Sequence, residues 1–309
     1  MSELDPALAE LLGRAPEVEP GDYDLTQRRD LYRALLQYAA AQAPEVAVAA
    51  VEDVEVDGAE GPLPARVYRP ERRGPVPTLV FFHGGGFVIG DVAAYDHQCR
   101  TLCAEVGAVV LSVDYRLAPE HPFPAAIEDA LAAVRWAALH VSRLGGDPHR
   151  LAVGGDSAGA NLSTVVAQEL RGPGPRLAAQ LLLYPGTDFV TSFPSHAANG
   201  QGRLLTATDL EWFRSEYLAD GGDPGDPRVS PALADDLSHL PPAVVATAEY
   251  DPLVDDGDAY AARLGAAGNR VVHRRFEGVI HVFFGLGPLS PACADAARTV
   301  CADLRELLG

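Results

Sequence analysis

A chain of 309 residues with 48% hydrophobic content can bury roughly three quarters of its unfolded surface, so a large core needs no disulfide or metal to staple it. Its formal net charge of −19 repels phosphate backbones and anionic lipid surfaces, which argues against nucleic acid and membrane partners. All 24 basic residues are arginine; without lysine, Schiff-base chemistry, Ser-Lys dyads and the phosphate-cradling lysine of a P-loop are excluded.

The opening stretch "MSELDPALAELLG" carries acidic groups where a secretory signal needs a basic start. No later window runs about 18 apolar residues without a charge, so a soluble cytoplasmic protein without stable membrane insertion is expected. Residues 1 to about 45 read as helical, with Leu31, Leu35 and Tyr38 along one face. Short apolar runs then follow at 76–82, 107–115, 150–155, 178–185 and 242–250, rich in branched or bulky residues, as strands buried on both faces are. Helical patterns lie between them. In 125–140, Ile127, Leu131, Val134 and Ala138 form one apolar stripe. Strands alternating with helices imply an α/β fold whose parallel sheet is wrapped on both sides, with its chemistry at the carboxyl ends of the strands.

Residues 188–227 interrupt the strand series with loops and one helix, "TDLEWFRSEYL", in which Thr208 and Glu211 have capping-box spacing and Leu210, Phe213 and Tyr217 line one side. The expected organisation is therefore N-terminal helices over 1–45, core over 46–187, an insertion over 188–227 and core again over 228–309. The N-terminal helices and the insertion suit a lid over the active edge of the sheet, or ordinary packing. The four cysteines, Cys99, Cys103, Cys293 and Cys301, form no CxxC and read as buried packing. Neither "HGGGFVIG" nor "VGGDSAGA" fits GxGxxG spacing, so dinucleotide binding loses its main support, and no cofactor or metal is called for.

Within "LAVGGDSAGANL" (151–162), Ser157 follows a strand and precedes a helical pattern, with Gly155 and Gly159 on either side. This is the G-x-S-x-G nucleophile elbow in its proper strand-turn-helix setting, which holds the hydroxyl exposed at the top of the sheet. The alternative is a turn serine that caps its helix. A hydroxyl nucleophile needs a base and the base an orienting acid, which in this fold follow the serine as acid, then histidine. Among His196, His239, His273 and His281, the last lies just past the strand "RVVHRRF", on the carboxyl side of the sheet, and is the best candidate base. Asp251 closes the strand 242–250, ahead of a helix expected to start at Pro252, and is preferred as acid to Asp255, about a helical turn further on. The glycine run of "FFHGGGFVIG" exposes backbone N–H groups, so Gly85 and Gly86 join Ala158, at the helix start, as oxyanion donors, with His83 bracing the loop. Phe87, Phe213, Ile280, Val282 and Phe283 are candidates for an apolar slot beside Ser157, the alternative for each being plain core.

Together "HGGGFVIGD", "DYRLAPEHPFPAA", "GGDSAGANL", "AEYDPLVDDG" and "GVIHVF", in this order from about residue 76 to 285, resemble the bacterial esterases of the hormone-sensitive lipase family, in the branch with Asp before the nucleophile. The resemblance implies an α/β-hydrolase fold with a helical cap, and hydrolysis of small-molecule carboxylic esters with short to medium acyl chains. It places Ser157 as nucleophile, Asp251 as acid, His281 as base and Gly85, Gly86 and Ala158 as oxyanion donors. A serine amidase or peptidase shares these parts, a catalytically dead ligand-binding protein would have lost some of them, and exposed sheet edges leave a homodimer open.

Overall fold

The computed structural model describes residues 2–14, 22–72, 74–172, 174–219 and 221–309; parts of the expected N-terminal helices and of the insertion, at 15–21 and 220, lie outside that set. The chain opens with α1 (Pro6–Arg14) and α2 (Leu25–Ala40), followed by the hairpin β1 (Ala50–Asp57) and β2 (Pro62–Arg69). The α/β series runs β3 (Val76–Phe82), α3 (Asp96–Leu102), β4 (Val109–Val113), α4 (Ala125–Leu144), β5 (Gly146–Asp156), α5 (Ala158–Glu169) and β6 (Ala179–Leu183). Two helices, α6 (Pro194–Asn199) and α7 (Ala207–Leu218), precede β7 (Ala243–Tyr250), α8 (Val254–Ala266), β8 (Val271–Ile280) and α9 (Pro291–Leu308). The eight strands form one sheet in the order β1-β2-β4-β3-β5-β6-β7-β8. Its first two pairings are antiparallel and the rest parallel.

The apolar runs are continuous because alternate residues of each inner strand enter cores on opposite faces. Leu79 and Phe81 of β3 pack with α2, α3 and α9 on one side, while Val80 and Phe82 pack with α4 and α5 on the other. All four cysteines are free and buried. No helix among the described residues is long and apolar enough to cross a membrane.

Three local expectations are corrected. On α2 the stripe that packs is Tyr32, Leu36 and Ala39, whereas Leu31 and Tyr38 are exposed, because the helix carries two apolar stripes one residue apart and the core takes the second. The capping box of α7 is set by Thr206 and Asp209 rather than Thr208 and Glu211. Helix α8 starts at Val254, two residues after Pro252.

Asp256 on α8 ties down the segment leaving β6. Its buried carboxylate accepts from the amides of Thr187 (2.8 Å) and Asp188 (3.2 Å) and from the Thr187 hydroxyl (2.5 Å). Burial pushes this carboxyl up to about 7 against those hydrogen bonds. Because the folded chain holds this proton where the unfolded chain has lost it, stability from this group is present below the ordinary value of 3.8 and is lost as pH rises toward 7. In Asp256→Asn that loss is absent, so the melting temperature of the variant should gain on the wild type between about pH 4 and 7 and level off above, by up to about 1.4 kcal/mol of stability per pH unit. Melting scans at pH 4.5, 6 and 8 check this; a gap constant with pH would contradict it.

Candidate active site

The site is assembled at the carboxyl ends of β3, β5, β7 and β8. β5 ends at Asp156, and the chain turns through Ser157 at φ 52° and ψ −118° before α5 begins, a strained positive-φ conformation that raises the hydroxyl out of the turn. The close approach requires Gly159: a Cβ there would run into the backbone carbonyl of Phe82 on the neighbouring strand. The Ser157 amide donates to Leu183 O at 2.8 Å, which pins the turn to the end of β6.

β8 ends at Ile280, and the next residue, His281, extends its ring toward the turn. Nε2 lies 2.9 Å from Ser157 Oγ and Nδ1 2.6 Å from Asp251 Oδ2. His281 is 4% exposed and Asp251 is fully buried, so water competes little for either hydrogen bond. The other Asp251 oxygen accepts from Leu253 N at 2.8 Å, and the Tyr184 ring meets the imidazole edge-on with centroids 4.8 Å apart. These contacts fix the tautomer with the proton on Nδ1, leaving Nε2 to accept from the hydroxyl. Asp255 instead accepts from the Ser195 amide at 2.9 Å. His196 lies on α6, His239 in a loop, and His273 is exposed with Nε2 on Asp258 at 2.9 Å.

After β3 the loop 83–91 curls through positive φ at Gly85 (109°), Gly86 (60°) and Phe87 (65°), while Val88 N and Ile89 N fold back onto Gly85 O. A Cβ at Gly86 would enter the ring of Phe213 from α7. The amide of Ala158, in the first turn of α5, has no intrahelical acceptor. Buried His83 contacts Gly84 O through Nδ1 at 2.8 Å and stacks on Tyr115 with centroids 4.5 Å apart.

The apolar candidates divide. Phe87 and Phe213 belong to the core cluster beside the glycine loop, where Phe87 stacks on Tyr217 with centroids 3.8 Å apart. Ile280, Val282 and Phe283 lie in the cluster on the opposite face of the sheet.

Sequence reasoning missed the polar groups that hold these parts in place. Asp156, 2% exposed, accepts from Gly84 N (2.7 Å), Tyr95 OH (3.0 Å) and Tyr184 OH (3.4 Å), joining the serine turn to the glycine loop. Burial pushes its carboxyl up to about 6, opposed by the Tyr95 hydroxyl and Gly84 amide. Asn161 of α5 donates to Gly186 O (2.8 Å) and Val229 O (2.9 Å), fastening both stems of the insertion to the helix behind Ser157. Asn199 of α6 donates to Glu249 O (3.0 Å) and Asp251 O (3.1 Å), and Ser195 to Pro252 O (2.6 Å), so this short helix sits on the loop carrying Asp251. The only sequence signal was polarity at positions that fold arguments bury; the partners are 25 to 72 residues distant.

A family model described as the alpha/beta hydrolase fold matches residues 79–285. The chain is similar to the carboxylic ester hydrolase LipN of Mycobacterium tuberculosis, 46% identical over 93% of this chain and 77% of that protein. It is similar to esterase LipI of the same organism, 40% identical over 99% of this chain and 95% of that one. Among solved structures, a hyperthermophilic esterase from the archaeon Pyrobaculum calidifontis superposes with a TM-score of 0.94 at 40% identity, covering 99% of each chain.

Proposed function

We propose, for a chain that belongs to the α/β-hydrolase family of hormone-sensitive lipase type and is a carboxylic ester hydrolase, that it cleaves short- to medium-chain esters by way of an acyl group carried on Ser157. The observation that carries this reading is the unbroken line from Ser157 Oγ through His281 to the buried Asp251 carboxylate, at 2.9 and 2.6 Å.

In this reading His281 Nε2 takes the Ser157 proton as Oγ attacks the ester carbonyl, and Asp251 stabilises the imidazolium through Nδ1–H. The oxyanion is met by the amides of Gly85, Gly86 and Ala158, each contributing about 3 kcal/mol as charge develops. The imidazolium then protonates the departing alcohol. Water, deprotonated by the same imidazole, releases the acid and restores Ser157. The substrate is a small ester; α1, α2 and the insertion 188–227 together form a cap over the loops that carry these groups. Supporting the cap are the Arg28 guanidinium of α2, 4.4 Å above the Trp212 ring of α7, and the seat of Phe213 against Gly86. Of the apolar candidates, Phe87 and Phe213 border the donors.

A p-nitrophenyl ester series of rising acyl length, paired with p-nitroanilides, tests this. A nitrophenolate burst, kcat/KM highest for short to medium acyl groups, and poor anilide turnover are expected. A profile flat to long acyl chains would remove the chain-length assignment, and faster anilide cleavage would move the enzyme to the amidases.

A further inference from the structure

The donors of an oxyanion hole act by being in place before charge develops, so whatever fixes their loop is part of catalysis. The loop 83–91 is not self-sufficient: it passes through three successive positive φ values, one of them at Phe87, a conformation that a side chain adopts only when its surroundings impose it. We propose that α2 is the positioning element that imposes it, through Arg29, Tyr32 and Arg33.

One face of α2 reaches this loop at its beginning, middle and end. At the beginning, Tyr32 OH lies 2.7 Å from Tyr95 OH, which itself donates to Asp156 Oδ2 at 3.0 Å. The single Tyr95 hydrogen is committed to the carboxylate, so Tyr32 is the donor in its own pair. The Gly84 amide closes the network, 2.7 Å from Asp156 Oδ1 and 3.1 Å from Tyr95 OH. In the middle, Arg29 donates Nε to Val88 O at 2.9 Å and Nη2 to Ala118 O at 3.1 Å, while Glu120 pairs with both terminal nitrogens at 2.7 Å. At the end, Arg33 Nε donates to Asp91 Oδ2 at 2.8 Å, and the other Asp91 oxygen accepts from Ala94 N at 2.7 Å. The same helix steadies the opposite wall, since Arg28 holds Trp212 and Asp209 of α7, whose Phe213 abuts Gly86. The loop bearing Gly85 and Gly86 is therefore gripped between two helices outside the sheet, α7 through the Phe213 ring and α2 through the hydrogen bonds of Arg29 and Arg33.

This inference rests on the acyl-transfer reading and deepens it. Arg29→Gln removes the Val88 and Ala118 contacts; Tyr32→Phe removes one hydroxyl and leaves the ring packing. Each is assayed with p-nitrophenyl butyrate, with active sites counted by a phosphonate ester, alongside melting temperature and inhibition by a trifluoromethyl ketone, whose serine adduct needs the oxyanion donors. The expected result is kcat per titrated site lowered by about 10- to 100-fold, KM changed by less than about threefold, and the ketone weakened in proportion to kcat/KM. Unchanged kcat per titrated site, or a loss seen only as fewer titratable sites and a lower melting temperature, would overturn the role of α2. A wild-type chain that neither turns over the ester nor takes the phosphonate on Ser157 would overturn the acyl-transfer reading itself.

Discussion

Replacing Ser157 by alanine is expected to lower kcat for a p-nitrophenyl ester by about a millionfold, because nucleophile, base and acid act as one unit and removing any essential part collapses the whole. The Ser157 hydroxyl bonds only to His281 Nε2 among the described residues, and alanine meets the same backbone demand at φ 52°, so the fold has no reason to suffer. A melting temperature close to that of the wild type should therefore accompany the loss. The amides of Gly85, Gly86 and Ala158 remain in the variant, and residual turnover above the uncatalysed rate is their contribution. Near-normal turnover in a folded Ser157→Ala protein would remove this serine from the reaction.

The second large effect is expected at Asp251. Its carboxylate is fully buried, accepts a hydrogen bond from His281 Nδ1 at 2.6 Å and is supported by the Leu253 amide. Asparagine preserves the shape but loses the charge that balances an imidazolium, and its amide favours the tautomer with the proton on the wrong nitrogen. A fall in kcat of about 10⁴-fold follows, with a much smaller change in KM. Asp255, four residues on, is the natural control: its carboxylate holds the Ser195 amide and contacts no imidazole of the reacting line. Asp255→Asn should retain most of the activity. If Asp255→Asn were the crippled variant and Asp251→Asn the active one, the assignment of the acid would be reversed.

How much of this was legible in the sequence follows from which forces leave a local mark. The inner parallel strands did, since burial on both faces turns β3, β4, β6, β7 and the second half of β5 into largely apolar runs. β1 and β2 left none: β1 is a mostly exposed edge strand written "AVEDVEVD", and β2 contains Pro62 and Pro64, which disguise it. The serine turn was legible because its steric demand fixes glycine at set distances, and His281 because its place after a strand distinguishes it from the other histidines. Helix faces were half legible. On α2 two apolar stripes competed, and at the start of α7 both Thr206 and Thr208 have an acid three residues on, so only tertiary packing chose between them. The bracing was not legible at all. Nothing local tells that Asp156 will meet Gly84, that Asn199 will meet the backbone of Asp251, or that Tyr32 will meet Tyr95, because those pairings exist only once the sheet has brought distant segments together.

The α2 grip and the Asp156 network bear on the same problem. A hole built from the amides of a glycine-rich loop gains close approach to a carbonyl at the cost of conformational freedom, which must be restrained from outside. In the proposed hole of this chain the loop is contacted by a buried carboxylate on one side and by two helices outside the sheet on the other.

The central claim, that one imidazole bridges the hydroxyl of residue 157 and the carboxylate of residue 251 beside a set of oxyanion donors, is tested most directly by a crystal structure of the phosphonate ester adduct. The expected result is phosphorus bonded to Ser157 Oγ, the phosphoryl oxygen within about 3 Å of the amide nitrogens of Gly85, Gly86 and Ala158, and His281 still on Asp251. Phosphorus on another residue, or a phosphoryl oxygen turned away from those amides with His281 displaced, would contradict it.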